Sequence, residues 1–114
     1  MFKTKSVAEP LESHDGKRVL ISAYWPLGPE NYRFDIWLRE LGSELEHVKN
    51  WPNHRFDQKK FITQYKRQLK KKALQPILEK LAEEGRYNTV TLLCHCKKDA
   101  DCHRLILKKY LERL

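Results

Sequence analysis

The chain has 114 residues, a length that suits one compact domain and is too short for two ordinary ones. Charged residues make up 33% of the chain and hydrophobic residues 40%, a globular composition that excludes an intrinsically disordered chain. The formal net charge of +8 favours anionic partners but does not choose among nucleic acid, phosphorylated metabolites and acidic protein surfaces.

The opening residues, MFKTKSVAEP, lack the apolar segment that defines a signal peptide. No run of about 18 apolar residues occurs, so no membrane-spanning helix and no membrane partner are expected. The sequence therefore predicts a cytoplasmic protein. Its three cysteines argue against a structural disulfide framework, because one must stay unpaired and their spacing is tight.

Two nearly continuous apolar segments predict the central strands of a sheet. They are RVLISAY at residues 18–24 and TVTLLC at residues 89–94, and such runs are typical of a sheet covered on both faces. The opening FKTKSV alternates weakly and predicts an edge strand, joined to the first central strand through the turn-prone AEPLESHDGK. We expect one small α/β domain over residues 1–114, with a three-stranded, mostly parallel sheet and helices packed on it.

Helical patterns fill most of the remaining chain. The predicted helices cover residues 35–41, a short segment from residue 43 toward residue 51, a long segment from residue 57, residues 75–85, and a last segment from near residue 101. Gly42 and Gly85 stand where two of these helices would end, and Pro76 suits a first turn. An apolar stripe on the long helix contains Phe61, Ile62, Tyr65 and Leu69.

The long helix also carries a row of cations opposite its apolar stripe. This basic surface of the long helix consists of Lys59, Lys60, Lys66, Arg67, Lys70 and Lys71. A solvated outer face is the favoured interpretation, because a helix lying on a sheet must turn polar groups toward water. A nucleic-acid-binding surface is the less favoured alternative, since no stacking aromatic groups or recognised readout motif accompany the cations.

The segment CHCKKDADCHR, residues 94–104, follows the second central strand and holds all three cysteines. The candidate zinc ligands are Cys94, Cys96, Cys102 and His103, but their spacing differs from the usual C-x2-C, and we predict no bound metal and no cofactor. A second interpretation is a reactive thiol at Cys96 or Cys102, favoured by the helix dipole and nearby positive charge. For Cys94 alone, a small apolar residue of the core is the preferred interpretation.

His103 and Arg104 place positive charge in the first turn of the predicted last helix. Cations there oppose the helix dipole unless an anion or a carboxylate lies beside them. Two explanations remain open: a bound anion, or an internal ion pair of Arg104 with Asp35, Asp99 or Asp101. Open α/β sheets build their binding sites at the carboxyl ends of the strands, where this segment lies.

The sequence thus predicts a small pocket at the carboxyl ends of the two central strands. Arg104 would bind a small anionic ligand, Cys96 or Cys102 would be the nucleophile if one exists, and His103 would be an acid or base. Tyr24 and Trp25 would wall the pocket from the other strand end, before a turn at Pro26 and Gly28. The oligomeric state is not predicted.

Several of these motifs together resemble the family called domain of unknown function 488. The resemblance runs from about residue 18 to the C-terminus and rests on RVLISAYWPLG, DIWLREL, LLCHC and the closing DCHR. The spaced Phe61, Tyr65 and Leu69 resemble the F-x3-Y-x3-L of its shorter members. The resemblance implies a small α/β fold but no established reaction. Many shorter members carry an acid, a base and an arginine where this chain has Ser22, Ala23 and Leu27.

Overall fold

Four short parallel strands form one sheet in the part of the chain that the structure describes. This structure is a computed structural model, and it describes residues 1–7, 9–23, 34–43, 58–94 and 103–114. The strands are β1 (Phe2–Ser6), β2 (Lys17–Leu20), β3 (Ile36–Trp37) and β4 (Val90–Cys94), in the spatial order β1-β4-β2-β3. The two apolar segments are therefore central and FKTKSV lies at an edge, as predicted. The α/β class is confirmed, with four strands instead of three.

The carboxyl ends of β1, β2 and β4 lie level with one another. Ser6 is opposite Cys94 and Leu20 is opposite Leu93 in the parallel register. The pairing continues past the strands, because the Ile21 N–H donates to the Leu93 carbonyl at 2.8 Å. This edge of the sheet is consequently a well-fixed platform for the residues that follow each strand.

Three α-helices lie within the described residues: α1 (Gln58–Leu69), α2 (Gln75–Tyr87) and α3 (His103–Glu112). Short 3-10 turns occur at Ser13–Asp15, Arg39–Leu41 and Lys72–Leu74. Pro76 lies in the first turn of α2, as predicted, where its missing N–H is not needed. Among the described residues no helix has the length and apolar character needed to cross a bilayer.

One face of the sheet and all three of these helices share a single apolar core. The strands contribute Phe2, Val19, Ile21, Val90 and Leu92, and the helices contribute Tyr65, Leu69, Leu78, Leu81, Ala82, Leu107 and Leu111. The alternation of side chains along a strand places the strand members of this group on one face. The apolar stripe predicted on the long helix is confirmed at Phe61, Tyr65 and Leu69, which are buried, and Ile62 is half-buried.

The helix predicted over residues 35–41 is wrong, because this segment pairs with the open edge of β2. The Asp35 N–H donates to the Arg18 carbonyl at 2.8 Å and the Leu38 N–H donates to the Leu20 carbonyl at 2.8 Å. The indole of Trp37 adds a bond from Nε1 to the Ser22 carbonyl at 2.7 Å. These long-range bonds outweigh the local helical pattern, which survives only as the 3-10 turn at Arg39–Leu41.

The predicted end of α2 at Gly85 is also wrong, since the helix continues to Tyr87. Gly85 has a packing role instead. A Cβ atom built there would lie 2.2 Å from the ring of Phe2, so a larger residue would require this ring to move. Three other predictions lie outside the described residues. They are the short helix after residue 43, the helix starts at residues 57 and 101, and the Pro26–Gly28 turn.

A buried charge cluster lies on the other face of the sheet, and the sequence analysis did not predict it. The Asp15 carboxylate is fully buried, and it accepts hydrogen bonds from Lys3 Nζ at 3.1 Å and from Lys5 Nζ at 3.1 and 3.2 Å. It also pairs with Arg18 Nη1. Thr91 on β4 donates from Oγ1 to the Asp15 carbonyl at 2.7 Å, which ties residue 15 to the central strand.

Charge pairing in this cluster shifts the pKa of two members in opposite directions. Burial alone would raise the Asp15 pKa, but bonds from the Glu12 N–H, Lys3 and Lys5 hold it far below its usual range. Burial alone would lower the Lys5 pKa, but hydrogen bonds to Glu12 and Asp15 raise it instead. Both groups are therefore charged in the folded protein near neutral pH, and each depends on the other.

Candidate functional site

Three elements meet at the carboxyl edge of the sheet. Cys94 is the last residue of β4, Ile21 directly follows β2, and His103 and Arg104 form the first turn of α3. His103 is 0% exposed and Arg104 is 2% exposed, so two consecutive residues whose side chains can carry positive charge are both buried. The sequence predicted that His103 and Arg104 would line a pocket at this edge, but it did not predict that both would be buried.

The imidazole of His103 links α3 to both the sheet and α1. Its Nε2 lies 2.5 Å from the Ile21 carbonyl oxygen. Because a carbonyl oxygen only accepts, Nε2 must carry a hydrogen and donate it. The ring meets Tyr65 edge-on with centroids 5.0 Å apart, and it meets Phe61 at 6.4 Å. The main-chain end of β2 thereby fixes the orientation of the ring.

The guanidinium of Arg104 contacts the sulfur at the end of the central strand. Arg104 Nη1 donates to Cys94 Sγ at 3.2 Å. Both residues are buried, which strengthens electrostatic interactions between them relative to water. The sequence missed this contact, although the interval of ten residues between a strand end and a helix start could have suggested it.

Side chains of α1 hold the loop that follows β3 against this edge. Tyr65 Oη donates to the Leu41 carbonyl at 2.6 Å, and Gln68 Nε2 donates to the Gly42 carbonyl at 2.7 Å. Gly42 itself lies against the chain after β2, where an added Cβ would be 2.1 Å from the Ala23 nitrogen. Helix α1 therefore fixes both the aromatic side chains around His103 and the backbone segment beside them.

The structure describes only part of the predicted pocket. His103 and Arg104 are brought together at the strand ends, whereas Tyr24, Trp25, Cys96 and Cys102 lie outside the described residues. Asp35 is not an ion-pair partner of Arg104. Its Oδ2 instead accepts from the Arg18 N–H at 2.8 Å. The other predicted internal partners, Asp99 and Asp101, also lie outside the described residues.

The prediction that Cys94 is a small apolar residue of the core describes this residue incompletely. The residue is 0% exposed, as expected for a small apolar side chain, but it is also disulfide-bonded. The argument from an odd cysteine count therefore excluded a framework of several bonds, but not this single bond.

The basic surface of the long helix faces solvent along α1 and just beyond it. All six of its cations are exposed, and helix α1 contains no acidic residue. A groove of about 320 Å³ is lined by Lys59, Lys60, Thr63, Gln64 and Arg67. This geometry satisfies the solvated-face interpretation and also offers anions an accessible positive groove.

A group of potential metal ligands lies away from this edge, in the turn before β2. Ligand atoms of Glu12, His14 and Asp15 are within 4.8 Å of one another. The Asp15 oxygens are already engaged by Lys3, Lys5 and Arg18, whose positive charge opposes a metal cation. The group is better described as one end of the buried charge cluster than as a metal site.

Comparison with known proteins places the whole chain in one family. The family model described as "Active DUF488-N3 subclade" matches residues 2–114, which extends the resemblance predicted from residue 18 to nearly the first residue. The chain is 29% identical over 115 residues to the "Uncharacterized protein YeaO" of Escherichia coli (strain K12), covering 99% of this chain and 98% of that protein.

Mycobacterial proteins show a similar likeness. The chain is 29% identical over 110 residues to the "Uncharacterized protein Rv3073c" of Mycobacterium tuberculosis (strain ATCC 25618 / H37Rv), covering 92% of this chain and 88% of that protein. The "Uncharacterized protein Mb3100c" of Mycobacterium bovis (strain ATCC BAA-935 / AF2122/97) gives the same identity and coverage. No solved structure gave a significant match.

Proposed function

Because the chain belongs to the DUF488 family, we propose that it binds a small anionic ligand at the carboxyl edge of its sheet. Arg104 is the proposed anion ligand and His103 the proposed acid or base. Cys96 or Cys102 supplies the nucleophile in the catalytic version of this proposal, and Tyr24 and Trp25 wall the pocket. The proposal includes a cytoplasmic location and requires no resident metal or cofactor.

The position of Arg104 is the observation that carries this proposal. It lies beside His103 at the carboxyl edge of the sheet, where open α/β folds build their binding sites. Arg104 also lies in the first turn of α3, where the helix dipole adds positive potential. A guanidinium stays charged at any physiological pH, so both features favour a small anion as the ligand. The description "Active" of the matching subclade agrees with a functional site.

Phosphate-dependent stabilisation tests the anion site. We expect phosphate or sulfate to raise the Tm of the wild-type protein above a chloride control at equal ionic strength. At a ligand concentration of about 100 times Kd, the stabilisation is about 2.7 kcal/mol. Arg104→Met should lose this response, whereas Lys109→Met, which removes an exposed cation from the same helix, should retain it.

The contrary result is equally specific. If phosphate leaves the wild-type Tm at the chloride value and Arg104→Met is markedly unstable without ligand, Arg104 has an internal partner and the anion site is wrong. Removing one member of a buried pair leaves the other charge uncompensated, which costs about 3–5 kcal/mol.

The second candidate function is binding of nucleic acid by the basic surface of the long helix. The exposed cations, the lack of acidic residues in α1 and the positive groove favour it. Cations spaced along one helix face neutralise backbone phosphates without reading sequence, so such binding would depend strongly on salt. It would not require a catalytic pocket.

Charge reversal separates the two functions. The quadruple variant Lys66→Glu, Arg67→Glu, Lys70→Glu and Lys71→Glu should abolish nucleic-acid binding in fluorescence anisotropy if this surface binds. For any residual binding, the slope of log K against log salt should fall in magnitude by about 3.6, since four lost phosphate contacts contribute about 0.9 each. A matched control reverses the charge of four exposed cations in α2, in α3 and directly after α3: Lys80, Arg86, Lys109 and Arg113. Equal losses in both variants would show that net charge alone, rather than this surface, is responsible.

A further inference from the structure

We infer that the nucleic acid bound by the basic surface of the long helix is single-stranded, with its backbone lying along α1 and one phosphate held by Lys59, Thr63 and Arg67. We call these three residues the phosphate row, and all of them line the groove on α1. The inference rests on the second candidate function and names the partner of that surface more closely. It does not involve the carboxyl edge of the sheet.

The phosphate row places a hydroxyl between two cations on one face of the helix. Its members are four positions apart in sequence, so successive Cβ atoms lie about 5–6 Å apart along α1. All three side chains are exposed, and within the described part of the chain none of them forms an ion pair or a hydrogen bond with another side chain. The hydroxyl can donate to a phosphate oxygen while the two long cationic side chains reach the same phosphate from either side.

The surroundings of the phosphate row favour an anion as the occupant of the groove. The groove has a volume of about 320 Å³. Three of the five described residues that line it are cations, and none is acidic. Helix α1 contains no acidic residue either, so no carboxylate of this helix neutralises the row. A phosphate group, which stays charged at neutral pH, matches this positive groove.

Two cations beyond the groove indicate a ligand with several phosphates. Lys66 and Lys70 are exposed, and at 100° per residue they lie on the same side of the helix as the phosphate row. The axial distance from Lys59 to Lys70 is about 16 Å at 1.5 Å per residue. One isolated phosphate cannot contact both ends of this span, whereas consecutive phosphates of one strand can. A nucleic acid therefore fits the surface better than a metabolite with a single phosphate.

A straight series of cations suits a single strand better than a duplex. The backbone of a single strand is flexible, and positively charged grooves that follow such a backbone are typical of proteins that bind single strands. In a duplex each strand winds around a stiff cylinder, so its phosphates leave a straight series of cations after a short contact. The described residues of the groove include no aromatic side chain, so the contacts are with the backbone and binding should not depend on base sequence.

Fluorescence anisotropy tests the preference for a single strand. The probes are a labelled oligothymidine of about 12 nucleotides and the same strand annealed to its complement. At about 0.1 M salt the wild-type protein should bind the single strand more tightly than the duplex. Equal or tighter binding of the duplex would overturn the inference, and it would leave the second candidate function intact if charge reversal still abolishes binding. If neither probe binds, the inference and the second candidate function are both wrong.

Thr63→Val tests the hydroxyl of the phosphate row, because valine keeps the shape of the side chain. Single-strand binding should weaken about fivefold, which corresponds to one net hydrogen bond. The slope of log K against log salt should not change, since no charge is lost. Thr63→Ser keeps the hydroxyl and should bind like the wild type. Wild-type affinity in Thr63→Val would contradict the inference.

Lys59→Met/Arg67→Met tests the two cations of the phosphate row. The salt slope for the single strand should fall in magnitude by about 1.4, since each lost contact with a single strand contributes about 0.7. Lys80→Met/Lys109→Met removes two exposed cations from α2 and α3, and its slope should stay at the wild-type value. Equal changes in both double variants would count against the phosphate row. Every substituted residue is exposed, and urea unfolding verifies that each variant is as stable as the wild type.

Discussion

Asp15→Asn is expected to destabilise the protein by about 3–5 kcal/mol, measured as the free energy of unfolding in urea at pH 7. The carboxylate is fully buried and is the shared partner of Lys3, Lys5 and Arg18. An asparagine has nearly the same shape but no charge, so the buried cations lose their common counterion. The substitution therefore measures charge compensation with little change in packing.

The pH dependence of stability gives an independent signature of the same cluster. The folded-state pKa of Asp15 is lowered, so its stabilising contribution is fully present above the unfolded pKa of about 3.9. The contribution is lost as pH falls from there through the folded pKa. Wild type should lose stability steeply below about pH 4, and Asp15→Asn should show a shallower acid slope.

Lys5 gives the corresponding signature at high pH. Its folded-state pKa is raised, so its contribution is fully present below the unfolded pKa of about 10.4 and is lost as pH rises through the folded value.

Glu83→Gln is the matched control for Asp15→Asn, because it removes the same charge from an exposed position. It should change the free energy of unfolding by less than about 0.5 kcal/mol. Equal effects of the two substitutions would mean that Asp15 is not a buried counterion.

The parts of the fold that follow from local patterns were predictable from the sequence. The apolar segments around Val19 and Leu92 marked the two central strands, and the weak alternation of FKTKSV marked the edge strand. The apolar stripe through Tyr65 and Leu69 placed the long helix on the core. A continuous apolar run indicates a strand that is covered on both faces, and the helical period indicates which face of a helix is buried.

The parts that failed depend on long-range partners. Ile36 and Trp37 have a helical pattern in sequence, but the open edge of β2 offers them backbone hydrogen bonds that no local pattern reveals. The weak alternation of β1 did not reveal that the turn carrying Asp15 folds over the lysines of this strand. A charged residue buried by a distant turn has the same sequence signature as an exposed one.

The candidate site shows the same division. The helix start at the end of β4 predicted that His103 and Arg104 would lie at the carboxyl edge of the sheet, and they do. The sequence did not reveal that Arg104 would contact Cys94 or that His103 would bond to the Ile21 carbonyl. Both contacts depend on the distance between α3 and the strand ends, which is set by the packing of α3 on β1, β4, α1 and α2.

His103→Ala is expected to lower the free energy of unfolding by about 3 kcal/mol, the sum of two losses. The buried Ile21 carbonyl loses its bond from Nε2, which costs about 1–3 kcal/mol. The missing ring also leaves a cavity against Tyr65 and Phe61, which weakens the core further. His14→Ala, at an exposed histidine, is the control and should have an effect below about 0.5 kcal/mol.

His103→Gln separates the donor from the ring. The amide nitrogen of glutamine can occupy the place of Nε2 and donate to Ile21, so this variant should recover at least half of the stability that His103→Ala loses. If His103→Gln is as unstable as His103→Ala, the stability that is lost comes from the missing ring and not from the missing Nε2 bond. A folded His103→Gln protein also has no titrating imidazole. Retained phosphate stabilisation in that variant would show that anion binding does not require the His103 imidazole.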